Sequence, residues 1–154
     1  MAVTSEQVRA ALTRDEPDYD EAAKLGVEAL PHLQRFVEGT DANLASKAAY
    51  LAGRIGDPGA APILETAASS ADTAVRAAAA SGVRHMPSEQ ADSVLQSLVD
   101  DDDPGVRKLA LKATPESPSQ ELAEKLDVLR EHESEPDLRR LAGEAADRAS
   151  RGGG

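Results

Sequence analysis

Asp72-Thr-Ala-Val-Arg-Ala-Ala-Ala-Ala-Ser-Gly, residues 72–82, is a stretch that the chain repeats. Asp103-Pro-Gly-Val-Arg-Lys-Leu-Ala-Leu-Lys-Ala begins 31 residues later, and Asp41-Ala-Asn-Leu-Ala-Ser-Lys-Ala-Ala-Tyr-Leu begins 31 residues earlier. A fourth copy, Glu135-Pro-Asp-Leu-Arg-Arg-Leu-Ala-Gly-Glu-Ala, follows after 32. An acid opens each copy (Asp41, Asp72, Asp103, Glu135), and a branched apolar residue stands three positions on (Leu44, Val75, Val106, Leu138). Arginine comes next in three copies (Arg76, Arg107, Arg139), with Ala45 the exception, and an alanine closes the turn in all four (Ala48, Ala79, Ala110, Ala142). A period of about 30 residues held in this register is the mark of a helical-repeat solenoid.

A second set of columns runs between these motifs. Residues 28–38 carry Leu30, Leu33, Phe36 and Val37 at the spacing of one face of an amphipathic helix. Leu33, Leu64 and Leu95 keep the register of 31, as do Phe36, Ala67 and Leu98, and Val37, Ala68 and Val99. Each repeat therefore holds a first helix opening at the acid and a second helix carrying the leucine column.

Composition fits this plan. Aromatic residues make up only 2%, so bulk must come from Leu, Val and Ile, with alanine letting helices approach closely. With 154 residues, the chain has the length of one domain with its own core. A net charge of −11 argues against nucleic acid or an anionic membrane surface as partner, because both need a basic face. There is no cysteine, which removes disulfides, thiol nucleophiles and thiolate metal sites. Met1-Ala-Val-Thr-Ser-Glu-Gln has no basic leader with an apolar run, and no stretch has the length of a membrane span, so a cytoplasmic chain is expected. The excess of arginine over lysine, with much Ala and Pro, suits a high-GC bacterial or archaeal source.

Boundary residues punctuate the pattern. Thr4 with Gln7 forms a capping box, and Pro17 sits in an acidic loop. A short helix is expected from about Asp20 to Leu25, ended by Gly26. Gly56 stops a helix, after which Asp57 caps the next with Pro58 in its first turn. Asp103-Pro104 and Ser117-Pro118 repeat that chemistry, and Ser88 is expected to cap the second helix of its repeat. Pro115 shortens the first helix of its repeat. One domain over residues 1–150 follows, with repeats at about 4–38, 41–70, 72–101 and 103–132. A charged cap helix at 135–150 closes it, and residues 151–154, with nothing to bury, are expected to be disordered.

The Asp-x-x-Val-Arg-x-x-Ala motif, the Ile-Gly-Asp-Pro-x-Ala-x-Pro-x-Leu turn and the 31-residue spacing together resemble the HEAT repeat, above all its short prokaryotic, PBS-lyase-like variety. The resemblance spans residues 20–150. It implies an all-α fold, a right-handed α-solenoid of four to five stacked hairpins. It also implies that second helices line a concave surface where partners bind. Gly82, where that family often has leucine, and Ala45, which lacks the arginine, depart from the pattern.

Candidate chemistry is sparse. The Asp and Arg columns (Asp41, Asp72, Arg76, Asp103, Arg107, Arg139) read as a structural ladder between repeats rather than a binding site. The acid run at Asp15–Glu21 has Asp20 and Gly26 where a calcium loop requires glycine and glutamate, and Asp100–Asp103, ahead of Pro104, reads as an inter-repeat loop with a helix cap. His32, His85 and His132 stand 53 and 47 residues apart and show no metal-ligand spacing. No serine-nucleophile elbow is present, and Gly53-Arg-Ile-Gly follows a helix rather than a strand. No metal, cofactor or catalytic residue is therefore expected.

What remains is the outward side of the second helices: Gln34, Arg35 and Glu38, then Glu65, Thr66 and Ser69, then Gln96, Ser97 and Asp100. This polar to acidic strip suits a basic or mixed polar protein partner. The chain reads as a non-catalytic protein–protein scaffold. The alternative is an accessory subunit of an enzyme complex, as in the bilin lyases whose subunits it resembles; nucleic-acid binding is a third reading, disfavoured by the charge.

Overall fold

A computed structural model describes residues 2–152. Among them the structure is entirely helical, and the helices fall into two layers. The first layer stacks α4 (Ala42–Ile55), α6 (Thr73–Gly82), α8 (Pro104–Ala113) and α10 (Pro136–Gly152), each packed on the next. The second layer stacks α3 (Leu30–Glu38), α5 (Ala61–Ala68), α7 (Ser88–Leu98) and α9 (Gln120–His132) in the same way. Two short helices, α1 (Ser5–Leu12) and α2 (Tyr19–Ala23), close the N-terminal end, where α1 reaches α3 and α2 reaches α4.

The core lies between the layers and follows the sequence columns. Leu33, Leu64 and Leu95 are fully buried, as are Ala48, Ala79, Ala110 and Ala142. No single hairpin covers its own apolar face, so stacking supplies the burial. The last helix needs no outer neighbour. Leu138, Ala142, Ala145 and Ala146 face inward, while Arg140 and Glu144 pair at 2.9 Å on the exposed side.

Helix starts follow the acids. Asp41 accepts the Leu44 amide at 3.1 Å, Asp72 the Ala74 amide at 2.8 Å and Asp103 the Gly105 amide at 3.1 Å. Each carboxylate takes up a donor that the first helical turn leaves without a partner. Thr4 and Gln7 form the expected capping box, and Asp57 accepts the Gly59 amide at 2.8 Å. Gly56 ends α4 in the left-handed region at φ 74°, and Gly26 adopts φ 71° after α2.

Two local expectations fail. Ser88 is not a cap: it lies inside the first turn of α7, the preceding residue is Pro87, and no side chain caps that end. A 3-10 turn at Val83–His85 replaces the glycine stop of the previous repeat, which shifts the helix start by one residue. Ser117 does not cap α9 either. Ser119 does, accepting the Leu122 amide at 3.1 Å. Its own amide and hydroxyl donate to buried Asp92 at 2.6 and 2.7 Å, which fixes the irregular 114–118 segment against α7. Of the tail, Arg151 and Gly152 continue α10, while residues 153–154 lie outside the described residues.

The departure at Gly82 has a steric reason. Helices α4 and α6 meet with backbone against backbone, so a Cβ on Gly53 would stand 2.3 Å from the Gly82 carbonyl oxygen. A Cβ on Gly82 would stand 3.3 Å from the Ala49 carbonyl oxygen. At Gly143 in α10, by contrast, the nearest atom to an added Cβ is the flexible end of Arg130 at 4.0 Å. The same substitution should therefore act in opposite directions at the two sites. Gly53→Ala should destabilise by about 1–3 kcal/mol through forced helix separation. Gly143→Ala should stabilise by about 0.5–1 kcal/mol through helix propensity. Thermal melts followed by circular dichroism check both; equal shifts would mean that the α4–α6 contact is not steric.

Candidate functional site

The arginine column turns out to tie loops together. Arg76 Nη1 donates to the carbonyls of Ser70 and Ala71, at 3.0 and 3.3 Å, in the loop leading into its own helix. Its Nε and Nη2 grip Asp101 of the next loop at 2.8 and 3.3 Å. Arg107 repeats the geometry one repeat on. Nη1 donates to Asp101 and Asp102 carbonyls at 2.9 and 3.1 Å, while Nε and Nη2 hold Glu133 at 2.9 Å each. Arg139 donates to the Glu133 and Ser134 carbonyls at 2.9 and 3.5 Å.

The guanidinium groups pair with neighbours of the opening acids rather than with those acids themselves. Asp72 and Asp103 cap helices, and the carboxylates that receive the guanidinium stand two residues upstream of an opening acid, at Asp101 and Glu133. Both also brace their own loops, because Asp101 accepts the Asp103 amide at 3.0 Å and Glu133 the Glu135 amide at 3.2 Å. At the corresponding place in the preceding loop stands Ser70, whose hydroxyl accepts the Asp72 amide at 3.1 Å. The uncharged Ser70 answers Ala45, the copy that lacks the arginine. No charge is left without its partner there.

The carboxylate of Glu133 is only 3% exposed. Burial alone would raise its pKa, but hydrogen bonds from Arg107 and the Glu135 and Ser134 amides outweigh that, holding it below the usual range.

The acid runs find structural work. Asp18 caps α2, and Asp20 pairs with Arg54. In the second run Asp100 pairs with Lys125 at 2.8 Å, Asp101 with Arg76, and Asp103 caps α8. His32 reaches the Val3 carbonyl at 2.9 Å, and His85 stacks edge-on against Tyr50. Burial, then the charges of Arg54 and Arg84, lowers the His85 pKa. Among the described residues no group of three or more His, Asp or Glu side chains comes together in a way that could hold a metal ion. No helix among them is long and apolar enough to cross a membrane.

The second-helix strip is assembled across repeats. Gln34 on α3 donates to Thr66 on α5 at 3.2 Å and to Glu38 at 2.6 Å. Ser93 on α7 donates to Glu65 on α5 at 3.0 Å. Lys125 on α9 reaches back to the Gln96 carbonyl at 2.7 Å and to Asp100 at 2.8 Å. Glu38, Glu65, Thr66 and Ser69 share an open groove between α3 and α5 of about 810 Å³. Arg35 and Ser97 are exposed on α3 and α7, and Ser97 donates to the Val94 carbonyl within its own helix at 3.3 Å.

One repeat further the same register gives Asp127, Val128 and Glu131, all exposed. Sequence reading had stopped at Asp100, although adding 31 to Gln96, Ser97 and Asp100 reaches these residues directly.

A two-layered stack of helical hairpins with an arginine ladder and a polar second-helix face defines an α-solenoid. The model of the HEAT repeats matches residues 65–147, over half of the sequence, and the chain belongs to that family. In structure it resembles a chain from the complex of CpcE and CpcF of phycocyanin lyase from Nostoc sp. PCC7120. The TM-score is 0.72 at 19% identity, over 92% of this chain and 96% of that one. No curated protein matches the sequence.

Removing Arg107 leaves a buried carboxylate without its partner. Arg107→Ala should therefore cost about 2–4 kcal/mol in urea unfolding at neutral pH. Because the Glu133 pKa is depressed, the pair's contribution is present above the unfolded carboxylate pKa and is lost as pH falls through the lower folded value. The gap between wild type and variant should narrow below about pH 4. A gap that stays constant down to acid pH would show that the pair contributes no charge-dependent stability.

Proposed function

We propose that this chain is a non-catalytic scaffold that holds a basic or mixed polar protein partner against its second-helix face. One observation carries this reading. Glu38, Asp100 and Glu131 fall in one repeat column and Glu65 and Asp127 in another, and all five are exposed. Hydrogen bonds between neighbouring repeats position two of them, Glu65 and Asp100, before any partner arrives. Pre-positioned side chains lose little freedom on binding, and a predominantly acidic strip steers a partner of opposite charge. The strip lacks Tyr and Trp anchors, which suits recognition through charge and hydrogen bonding more than through a deep apolar pocket.

The solved structure that this chain resembles comes from a complex of two proteins. That supports a protein as the kind of partner. It also supports the second reading, that the chain is an accessory subunit of an enzyme complex of the lyase type, handling a ligand bound by its partner.

Capture from a nuclease-treated lysate separates these readings. Wild-type bait should enrich one protein that the triple variant Glu38→Lys, Glu65→Lys, Asp100→Lys loses. Helicity should be unchanged, because exposed ion pairs contribute about 1 kcal/mol or less. Equal capture by both baits would remove the second-helix face as the binding surface. A captured complex with visible absorbance or a stoichiometric small molecule would favour the accessory-subunit reading.

A further inference from the structure

The opposite layer carries a second surface of different chemistry. Between α4 and α6 runs an open groove of about 440 Å³. Its floor is Ala74, Ala77, Ala78 and Ser81, spaced i, i+3, i+4, i+7 along α6, and its α4 wall is Ser46, Lys47 and Tyr50. Tyr19 completes one side, stacked edge-on against Tyr50 with ring centroids 4.7 Å apart. Both tyrosines of the chain therefore stand at this groove.

Two features single the groove out. It is floored by methyl groups rather than by the charged side chains that cover other first-layer helices, so a partner's large apolar side chains find room and contact there. Tyrosine rims of this kind are enriched where interfaces concentrate their energy. Its charge is also inverted relative to the molecule. On a chain of net charge −11, Lys47 is the one charged lining residue, and no carboxylate lines the groove. Lys47 is half-buried and, like Lys108 and Lys112, makes no ion pair among the described residues. Burial raises the Tyr19 pKa, with the nearby Tyr50 adding to it, so its hydroxyl stays a neutral donor.

We propose that the α4–α6 groove docks an acidic amphipathic helix of a partner protein, its apolar residues seated on the alanines and a carboxylate against Lys47. The floor residues span two helical turns, roughly 10 Å, the length over which i and i+4 anchors of a docked helix make contact. The site is separate from the second-helix face and binds a partner of the opposite charge. The two surfaces thus equip one chain to bridge two different proteins.

Panning a display library of randomised short helices on the full-length protein tests this. Enriched peptides should carry Leu, Phe or Met one turn from Asp or Glu. Their affinity should fall by about tenfold or more on Lys47→Glu and on Ala74→Arg, the loss of a desolvated charge pair and of an anchor seat. Both substitutions are at partly or fully exposed positions, and circular dichroism confirms that each variant folds. The Glu38, Glu65, Asp100 triple variant should bind the same peptides unchanged, which separates this groove from the second-helix face. Basic consensus peptides, or enrichment indifferent to both groove variants, would overturn the proposal. So would failure to enrich any peptide, or self-association in sedimentation that Ala74→Arg abolishes, which would make a second copy the occupant.

Discussion

One guanidinium holding two loops at once is the constraint on which the stack depends. Apolar columns can bring hairpins together, but leucine and alanine surfaces tolerate sliding, and nothing in them fixes how far one repeat sits along the next. Arg76 and Arg107 supply that register. Each is anchored by two backbone carbonyls beside its own helix and held in a two-pronged grip by a carboxylate 25 or 26 residues on. Such planar pairing is geometrically demanding in a way that hydrophobic contact is not. The first junction does without it, and there the alanine-rich helices α4 and α6 approach through Gly53 and Gly82 until backbone meets backbone. Two junctions are set by charge, one by steric contact.

Repetition made the architecture legible in the sequence. A column that recurs four times carries its own control, so the leucine seam, the alanine contacts and the capping aspartates could be read without knowing any contact. Columns that vary could not be read that way. Asp101 and Glu133 play one role with two residue types, and Ser70 stands where they would be. The columns therefore left open whether the arginines pair with Asp72 and Asp103 or with neighbouring acids. Ser88 and Ser117 misled for a related reason. Both sit where the repeat lost its regular turn: a 3-10 turn and Pro87 precede α7, and at α9 Ser119, held by Asp92, marks where the helix begins. The charge strip was half read. Asp127 and Glu131 follow from the same arithmetic, but the irregular third repeat obscured the register.

The two layers divide the chemistry of the surface between them. The second helices present carboxylates, two of which, Glu65 and Asp100, are hydrogen-bonded to side chains of the neighbouring repeat. The first helices spend their side chains on close packing and leave a methyl-floored groove with a single lysine. Sequence reading found only the first of these surfaces. Ala74, Ala77 and Ala78 stand in the repeat motif simply as alanines, and only the fold brings them to one groove with Tyr50 and Tyr19. Neither surface needs a cofactor, metal or nucleophile, and both depend on the stack holding its shape.

Native-state hydrogen exchange tests that dependence most directly. If the arginine grips make the repeats one mechanical unit, amides of α6, α8 and α10 should open together in the wild type, with a common free energy. In Arg107→Ala, α9 and α10 should then exchange early while α4 and α6 keep their protection, because only the last junction has lost its grip. A variant whose amides all lose protection equally, or whose last two helices remain as protected as before, would contradict the account: stacking of apolar faces alone would then be setting the register.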